Sequence, residues 1–231
     1  VFAPAVGLVT TVQASLAFVL SLVTSPRTAS RLSAVPWARI LALMTPVRVR
    51  VEGRENIDPR QSYILVSNHQ SQFDILMLYG WLGVDFKWVM KQELRSVPGI
   101  GIACDRLGHI FIDRSNHAAA MATLDAAKKK IVDGTSVMFF PEGTRSRDGK
   151  LKRFKKGAFR MAVDLGRPIL PLTVTGTRDV LPADTSDLMP GSARLIIHPP
   201  VPVENKTVDD CPQLSNEVRE IIASALPSDQ V

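Results

Sequence analysis

The sequence predicts an α/β fold, a mostly parallel central sheet with flanking helices, preceded by an N-terminal helical membrane element. Two observations carry the first part. Short apolar runs recur along the chain, and longer segments with helix-capping starts lie between them. That alternation is what builds parallel sheets. The third observation concerns the beginning of the chain, where the first 26 residues carry no charged side chain and Arg27 is the first. A stretch of that length and character can cross a bilayer as a helix.

Taken in order, Val1 to Thr24 is apolar but interspersed with Thr10, Thr11, Gln13, Ser15 and Ser21. A second apolar stretch, Leu32 to Val47, is interrupted by Pro36 and Arg39. A single span, a hairpin lying in the interface and a secretory signal are three readings of this region. Nothing resembling a small-residue cleavage site stands near Ser25-Pro26, and membrane anchoring is the expectation. We therefore divide the chain into a membrane-anchoring element, residues 1–46, and an α/β domain, residues 47–231.

Val47-Arg48-Val49-Arg50-Val51 alternates as a half-buried strand should. Tyr63 to Val66 is a short apolar strand leading into Ser67-Asn68, good capping residues for a helix reaching Trp81. Phe86 to Met90 and Gly108 to Arg114 read as further strands. Ser115-Asn116 then caps a helix that ends in Lys128-Lys129-Lys130, where positive charge suits the helix dipole. Val137 to Phe140 is a buried strand, Gly157 to Leu165 a helix, Pro168 to Val174 a strand and Arg194 to His198 a late strand. A last helix runs from about Leu214 to Leu226.

The balance of 28 Lys+Arg against 22 Asp+Glu gives a net charge of +6 and a pI near 9.6. Such a chain favours anionic partners. A nucleic-acid role matches only this net charge, because no recognition motif or aromatic stacking pattern accompanies it. The two cysteines, Cys104 and Cys211, form no CxxC and no Cys/His cluster, so we expect free thiols in a reducing compartment and no metal site. The chain has no G-x-S-x-G elbow and no Walker-type loop, and Gly99-Ile100-Gly101 lacks the third glycine of a dinucleotide fingerprint.

Two segments carry the chemistry. In Asn68-His69-Gln70-Ser71-Gln72-Phe73-Asp74, an imidazole and a carboxylate stand close enough for one to orient the other. Spacing alone is a weak signal, but this pair falls where a strand gives way to a helix, the edge at which α/β sheets carry ligands. On a regular helix, residues five apart are turned by about 140° and share no face. The pair therefore works only if His69 lies in a non-helical entry and folds back towards Asp74. Asp74 would then fix the imidazole, leaving its other nitrogen to take a proton from an alcohol.

In the second segment, Phe140-Pro141-Glu142-Gly143-Thr144-Arg145-Ser146, a glycine lets backbone amides approach an anion and Arg145 can grip a phosphate with two parallel bonds. Arg114 could join from the same sheet edge. His109 and Asp113 form a rival pair with no phosphate-binding or turn motif beside them, and we take His109 as structural. His117 and His198 have no convincing partners. With no Ser or Cys nucleophile beside His69, direct transfer to a bound alcohol is favoured over a covalent enzyme intermediate.

At these residues the chain resembles the glycerolipid acyltransferase family, in particular the bacterial 1-acyl-sn-glycerol-3-phosphate (lysophosphatidic acid) acyltransferases. The resemblance runs from about Val47 to Pro202. The family's H-x4-D block stands as His69 to Asp74. Its second block matches Gly108, Phe111 and Arg114, its third stands complete from Phe140 to Ser146, and its fourth is Ile169-Leu170-Pro171-Leu172. The resemblance implies a glycerol-3-phosphate acyltransferase-like fold. It implies acyl transfer from acyl-CoA or acyl carrier protein to the 2-hydroxyl of lysophosphatidic acid, giving phosphatidic acid, with no cofactor beyond the donor substrate.

By the same resemblance His69 is the base and Asp74 its partner. Arg114, Glu142, Gly143, Thr144 and Arg145 form the acceptor site, and Lys91 lines it. Gly143 is a candidate oxyanion donor. The implied setting is a membrane, that of the bacterial inner membrane, with the site on its cytoplasmic side among membrane lipids. An acyltransferase for another lysolipid and a basic lipid-binding module without chemistry are the alternatives.

Overall fold

A strand whose side chains are buried on both faces reads as an unbroken apolar run, and the centre of this protein is built from such strands. The computed structural model describes residues 2–44, 46–182, 185 and 188–231. Seven strands form one sheet: β1 (Val47–Glu52), β2 (Ile64–Ser67), β3 (Phe86–Lys91), β4 (Ile110–Ile112), β5 (Ser136–Phe139), β6 (Ile169–Thr175) and β7 (Gly191–Ile197). Their order across the sheet is β1-β7-β6-β2-β5-β3-β4. Every neighbouring pair is parallel except β6 and β7. Every residue of β2 and β5 is buried, whereas β1, at the edge, alternates half-buried and exposed as its Val-Arg pattern predicts.

Alternation along the strands divides the interior in two. Ile64, Val66, Val137, Phe139 and Ile169 point to the face covered by α5 (His117–Ala127), α6 (Gly157–Leu165) and α8 (Cys211–Ala223). Leu65, Trp88, Met138, Leu170 and Leu172 point to the other, where α3 (Phe73–Trp81) packs with Phe73, Met77 and Leu78 fully buried.

The N-terminal region forms two antiparallel helices, α1 (Phe2–Val23) and α2 (Pro26–Leu43). Ser25 caps α2 by accepting from the Thr28 amide at 3.2 Å, and Pro26 occupies the first turn, where its missing N–H costs nothing. Trp37 Nε1 donates to Thr10 Oγ1 at 3.1 Å across the pair. Pro4–Val23 has the length and mean hydropathy (2.0) to cross a membrane. α1 leaves Leu8, Val12, Val19, Leu22 and Val23 more than half exposed. The pair rests on the domain through α2 against α3 and through α1 against α4 (Ile100–Arg106).

The structure differs from the sequence reading in four places. The helix expected directly after Ser67-Asn68 begins only at Phe73, and neither residue caps it. α4 and the 3₁₀ turn Gln92–Ser96 were not anticipated, because Gly99 and Pro98 read as loop. Lys128–Lys130 form a 3₁₀ turn, with Lys128 paired to Asp125 at 2.7 Å and Asp164 at 2.9 Å. His198 has a partner after all, Thr173 Oγ1 at 2.8 Å from Nε2. The side chain of His117 lies outside the described residues.

Candidate active site

The C-terminal ends of β2, β4 and β5 meet at one edge of the sheet, and each delivers one of the sequence motifs. From β2 the chain leaves as Asn68-His69. The Asn68 side chain behaves like a stretch of strand: its Nδ2 donates to the Val174 carbonyl at 2.9 Å and its Oδ1 accepts from the Val174 amide at 2.8 Å. This clamp to β6 fixes the strand end directly ahead of His69, and residues 69–71 stay outside the helix that begins at Phe73.

The geometric requirement on the His-Asp pair is met in that non-helical entry. Asp74 lies in the first turn of α3 and is fully buried. Its Oδ2 sits 2.8 Å from His69 Nδ1 and accepts the amides of Gln70 at 2.8 Å and Ser71 at 2.9 Å. These two amides hold the same carboxylate oxygen that meets the histidine. The His69 ring stacks on Phe140, centroids 3.8 Å apart and planes 9° from parallel, and Phe140 stacks in turn on Trp88. Nδ1 is therefore committed, the ring plane is set from one side, and Nε2 forms no hydrogen bond among the described residues. The side chain is 13% exposed.

From β5 the chain leaves as Phe140 to Ser146. Glu142 is buried, and both of its oxygens are taken by backbone amides: Oε1 by His69 at 2.7 Å and Oε2 by Lys152 at 3.1 Å. Burial pushes its carboxyl up to about 7, against the lowering effect of those two amides and of the Lys152 ammonium. Ser146 N donates to the His69 carbonyl at 2.8 Å, so the two motifs are tied together twice. Gly143 has φ +78, and a Cβ there would come within 2.8 Å of the Lys155 ammonium end. Its amide donates to the Phe140 carbonyl at 3.0 Å, so it is already engaged in a tight turn. Arg114, just beyond β4, donates to the Gly143 carbonyl at 2.5 Å.

Beside this cluster is a cavity of about 480 Å³. Its inner wall is apolar, with Val89, Met121, Leu124 and Phe139, while Arg114, Lys155 and Arg160 stand among its cationic lining. Phe140 and Gly143 belong both to this lining and to the surroundings of His69. An anion with an apolar tail fits such a space, head to the cations and tail inward. Three helices and three strands contribute to the lining, so no local motif could have revealed it.

Of the residues singled out from the sequence, His69, Asp74, Glu142, Gly143 and Arg114 come together. Arg145 lies half-buried in the same turn, and its carbonyl accepts from Lys152 Nζ at 2.7 Å. Thr144 is exposed beside it. Lys91, at the end of β3, is exposed and does not line the cavity. Sequence reasoning missed Asn68 as a clamp, Phe140 as the stacking partner, and Gln70, whose Nε2 donates to Gln230 Oε1 at 2.8 Å from the other end of the chain. His109 is structural: Tyr79 Oη lies 2.6 Å from its Nε2, and its Nδ1 accepts the Trp88 amide at 3.2 Å. Among the described residues no group of three or more His, Cys, Asp or Glu side chains is placed to hold a metal.

Residues 48–175 match the family described as Acyltransferase. The chain is 37% identical over 186 residues to the 1-acyl-sn-glycerol-3-phosphate acyltransferase CHLREDRAFT_174358 of Chlamydomonas reinhardtii, covering 80% of this chain and 54% of that protein. It is 36% identical over 174 residues to 1-acyl-sn-glycerol-3-phosphate acyltransferase alpha of Homo sapiens, covering 75% of this chain and 62% of that protein. It thus spans only about half to three-fifths of these curated relatives. The crystal structure of the 1-acyl-sn-glycerophosphate (LPA) acyltransferase PlsC from Thermotoga maritima superimposes with a TM-score of 0.75 at 28% identity, covering 96% of this chain and 97% of that one.

Proposed function

The chain belongs to the acyltransferase family, and on that premise we propose that it moves an acyl group from a thioester donor to the 2-hydroxyl of lysophosphatidic acid, giving phosphatidic acid. The observation that carries the reading is the His69 ring, with Nδ1 held by a fixed, buried Asp74 and Nε2 left open at a sheet edge beside a cation-rimmed apolar cavity. The names of the relatives support the choice of acceptor.

In this mechanism the acceptor phosphate is held by Arg114 and Arg145, with the apolar chain in the cavity. His69 Nε2 removes the proton from the hydroxyl as its oxygen attacks the thioester carbonyl. Asp74 stabilises the imidazolium that forms. The tetrahedral intermediate collapses, its C–S bond breaks, and the departing thiolate takes the proton from His69. Water and an unoriented alcohol are poor competitors, because phosphate binding presents one hydroxyl to the base. Glu142, with both oxygens on backbone amides, acts by holding the His69 loop and not by touching substrate. Arg114 and Arg145 touch the acceptor, and CoA and acyl carrier protein are the two donor classes.

The α1–α2 pair, which lies within the anchoring element assigned to residues 1–46, attaches the enzyme to a membrane, where both acceptor and product reside. A cytoplasmic face of a bacterial inner membrane is the setting this reading takes. The test is product identification with palmitoyl-CoA and a panel of acceptors. Phosphatidic acid from lysophosphatidic acid, with Arg114→Gln raising KM for that acceptor about tenfold, supports the proposal. Equal turnover of lysophosphatidylcholine, with no effect of Arg114→Gln, contradicts the assignment of acceptor.

A further inference from the structure

α2 carries Arg27, Arg31 and Arg39 on one side. At about 100° per residue they fall within an arc of about 120°. They line a second cavity of about 540 Å³, closed opposite them by Tyr79 and Gly80 at the end of α3 and by Asp85 and Phe86 at the start of β3. This is the N-terminal edge of β3, the opposite edge from the one that carries His69.

Asp85, the one carboxylate among its described lining residues, is already satisfied. Lys87 Nζ lies 3.2 Å from its Oδ1, and Thr135 Oγ1 donates to its Oδ2 at 3.1 Å. Two of the arginines have structural duties that use one donor each. Arg27 Nη1 donates to the Asp133 carbonyl at 2.9 Å, and Arg39 Nε donates to the Gly80 carbonyl at 2.8 Å, at the C-terminal end of α3. A guanidinium has five N–H donors, so most remain. Arg31, between them and exposed, forms no hydrogen bond or ion pair among the described residues. Capping a helix end explains Arg39; it explains neither Arg31 nor the cavity.

The same helix indicates which anion. The exposed Leu32, Leu43 and Ile40 occupy the adjoining arc, and α1 beside them exposes Leu8, Val12, Val19 and Leu22. When such an apolar stripe enters the acyl layer, arginines on its flank sit at the level of the lipid phosphates. A guanidinium pairs with phosphate through two parallel bonds. We propose that the groove formed by Arg27, Arg31 and Arg39 seats the phosphate of an anionic glycerophospholipid headgroup, at a site separate from the acceptor site. This rests on the membrane-associated reading above and is independent of the catalytic roles.

The test is co-sedimentation of the full chain with vesicles of phosphatidylcholine alone or mixed with phosphatidylglycerol, alongside turnover in detergent micelles. Arg31→Gln is expected to weaken binding to the mixed vesicles about fivefold, the effect of one cation near an anionic surface. Binding to phosphatidylcholine alone, and turnover in micelles, stay at the wild-type level. Arg31→Lys keeps the charge but loses the fork, and is expected to recover less than half of the loss. Full recovery in Arg31→Lys would mean diffuse charge attraction and overturn a seated headgroup. An unchanged preference in Arg31→Gln, or selective displacement from mixed vesicles by inorganic phosphate, would also overturn the proposal. Absence of turnover in the wild type would count against the catalytic reading alone, since the vesicle comparison is read without it.

Discussion

Two histidines stand near an aspartate in this chain, and their surroundings give them opposite characters. His69 leaves β2 at the open edge of the sheet, with one nitrogen on the buried Asp74 and the other unbonded among the described residues. His109 precedes β4 inside the protein, with one nitrogen facing Tyr79 Oη and the other accepting the Trp88 amide. Its sequence neighbour Asp113 turns away and accepts from the Ser115 amide at 2.9 Å. Burial, with repulsion from Lys87 and Lys130 behind it, lowers His109 to about 3. An imidazole is suited to act as a positioned base when one nitrogen is free and a fixed acid supports the other. His69 meets both conditions and His109 meets neither.

The largest test of the contrast is His69→Ala, expected to cost about 10³-fold or more in kcat while the circular dichroism spectrum stays native. Asp74→Asn removes the charge that supports the imidazolium but keeps an acceptor for the Gln70 and Ser71 amides. A loss of about 10²-fold in kcat, with little change in KM, is the expected kinetic result.

Glu142→Gln is expected to cost about tenfold, because an amide cannot accept both the His69 and Lys152 N–H groups. Its pH dependence sharpens the point. The folded Glu142 carboxyl titrates at about 7, above its ordinary 4.5. Between those values the folded state holds the extra proton, so this group's contribution to stability is greatest below pH 4.5 and falls as pH rises to 7. Thermal melts of wild type against Glu142→Gln across that window should show the wild type gaining, relative to the variant, as pH falls.

The smallest effect on turnover is expected from His109→Leu. It leaves the Tyr79 hydroxyl and the Trp88 amide without a partner and costs about 2 kcal/mol of stability, while activity per folded molecule stays within about twofold of wild type. Here the sign reverses. A histidine held at about 3, against an ordinary 6.5, contributes stability that is present above pH 6.5 and lost as pH falls towards 3. The melting-temperature gap between wild type and His109→Leu should therefore narrow on acidification.

The strands and the order of the motifs were legible in the sequence because both depend on local signals: apolar runs such as Tyr63 to Val66, and residue types at fixed spacing. The requirement that His69 lie outside the helix also followed from residue angles alone. What supplies that non-helical entry did not. Asn68 reads as a helix cap from sequence, and its actual partner, Val174, is more than a hundred residues away. The partners of Glu142 were hidden for the same reason. Its acid and glycine neighbours suggest a ligand site, whereas its partners are backbone amides, which sequence does not display. α4 went unseen because it is short and follows Pro98-Gly99, the residues that mark a loop.

The central claim is that His69, positioned by Asp74, is the base for acyl transfer to a lysolipid hydroxyl. The most direct measurement is thiol release from palmitoyl-CoA with and without lysophosphatidic acid, for wild type, His69→Ala and His109→Leu. The account predicts release that requires the acceptor, survives in His109→Leu and vanishes in His69→Ala. Release that persists in a folded His69→Ala protein, or that needs no acceptor, would contradict it.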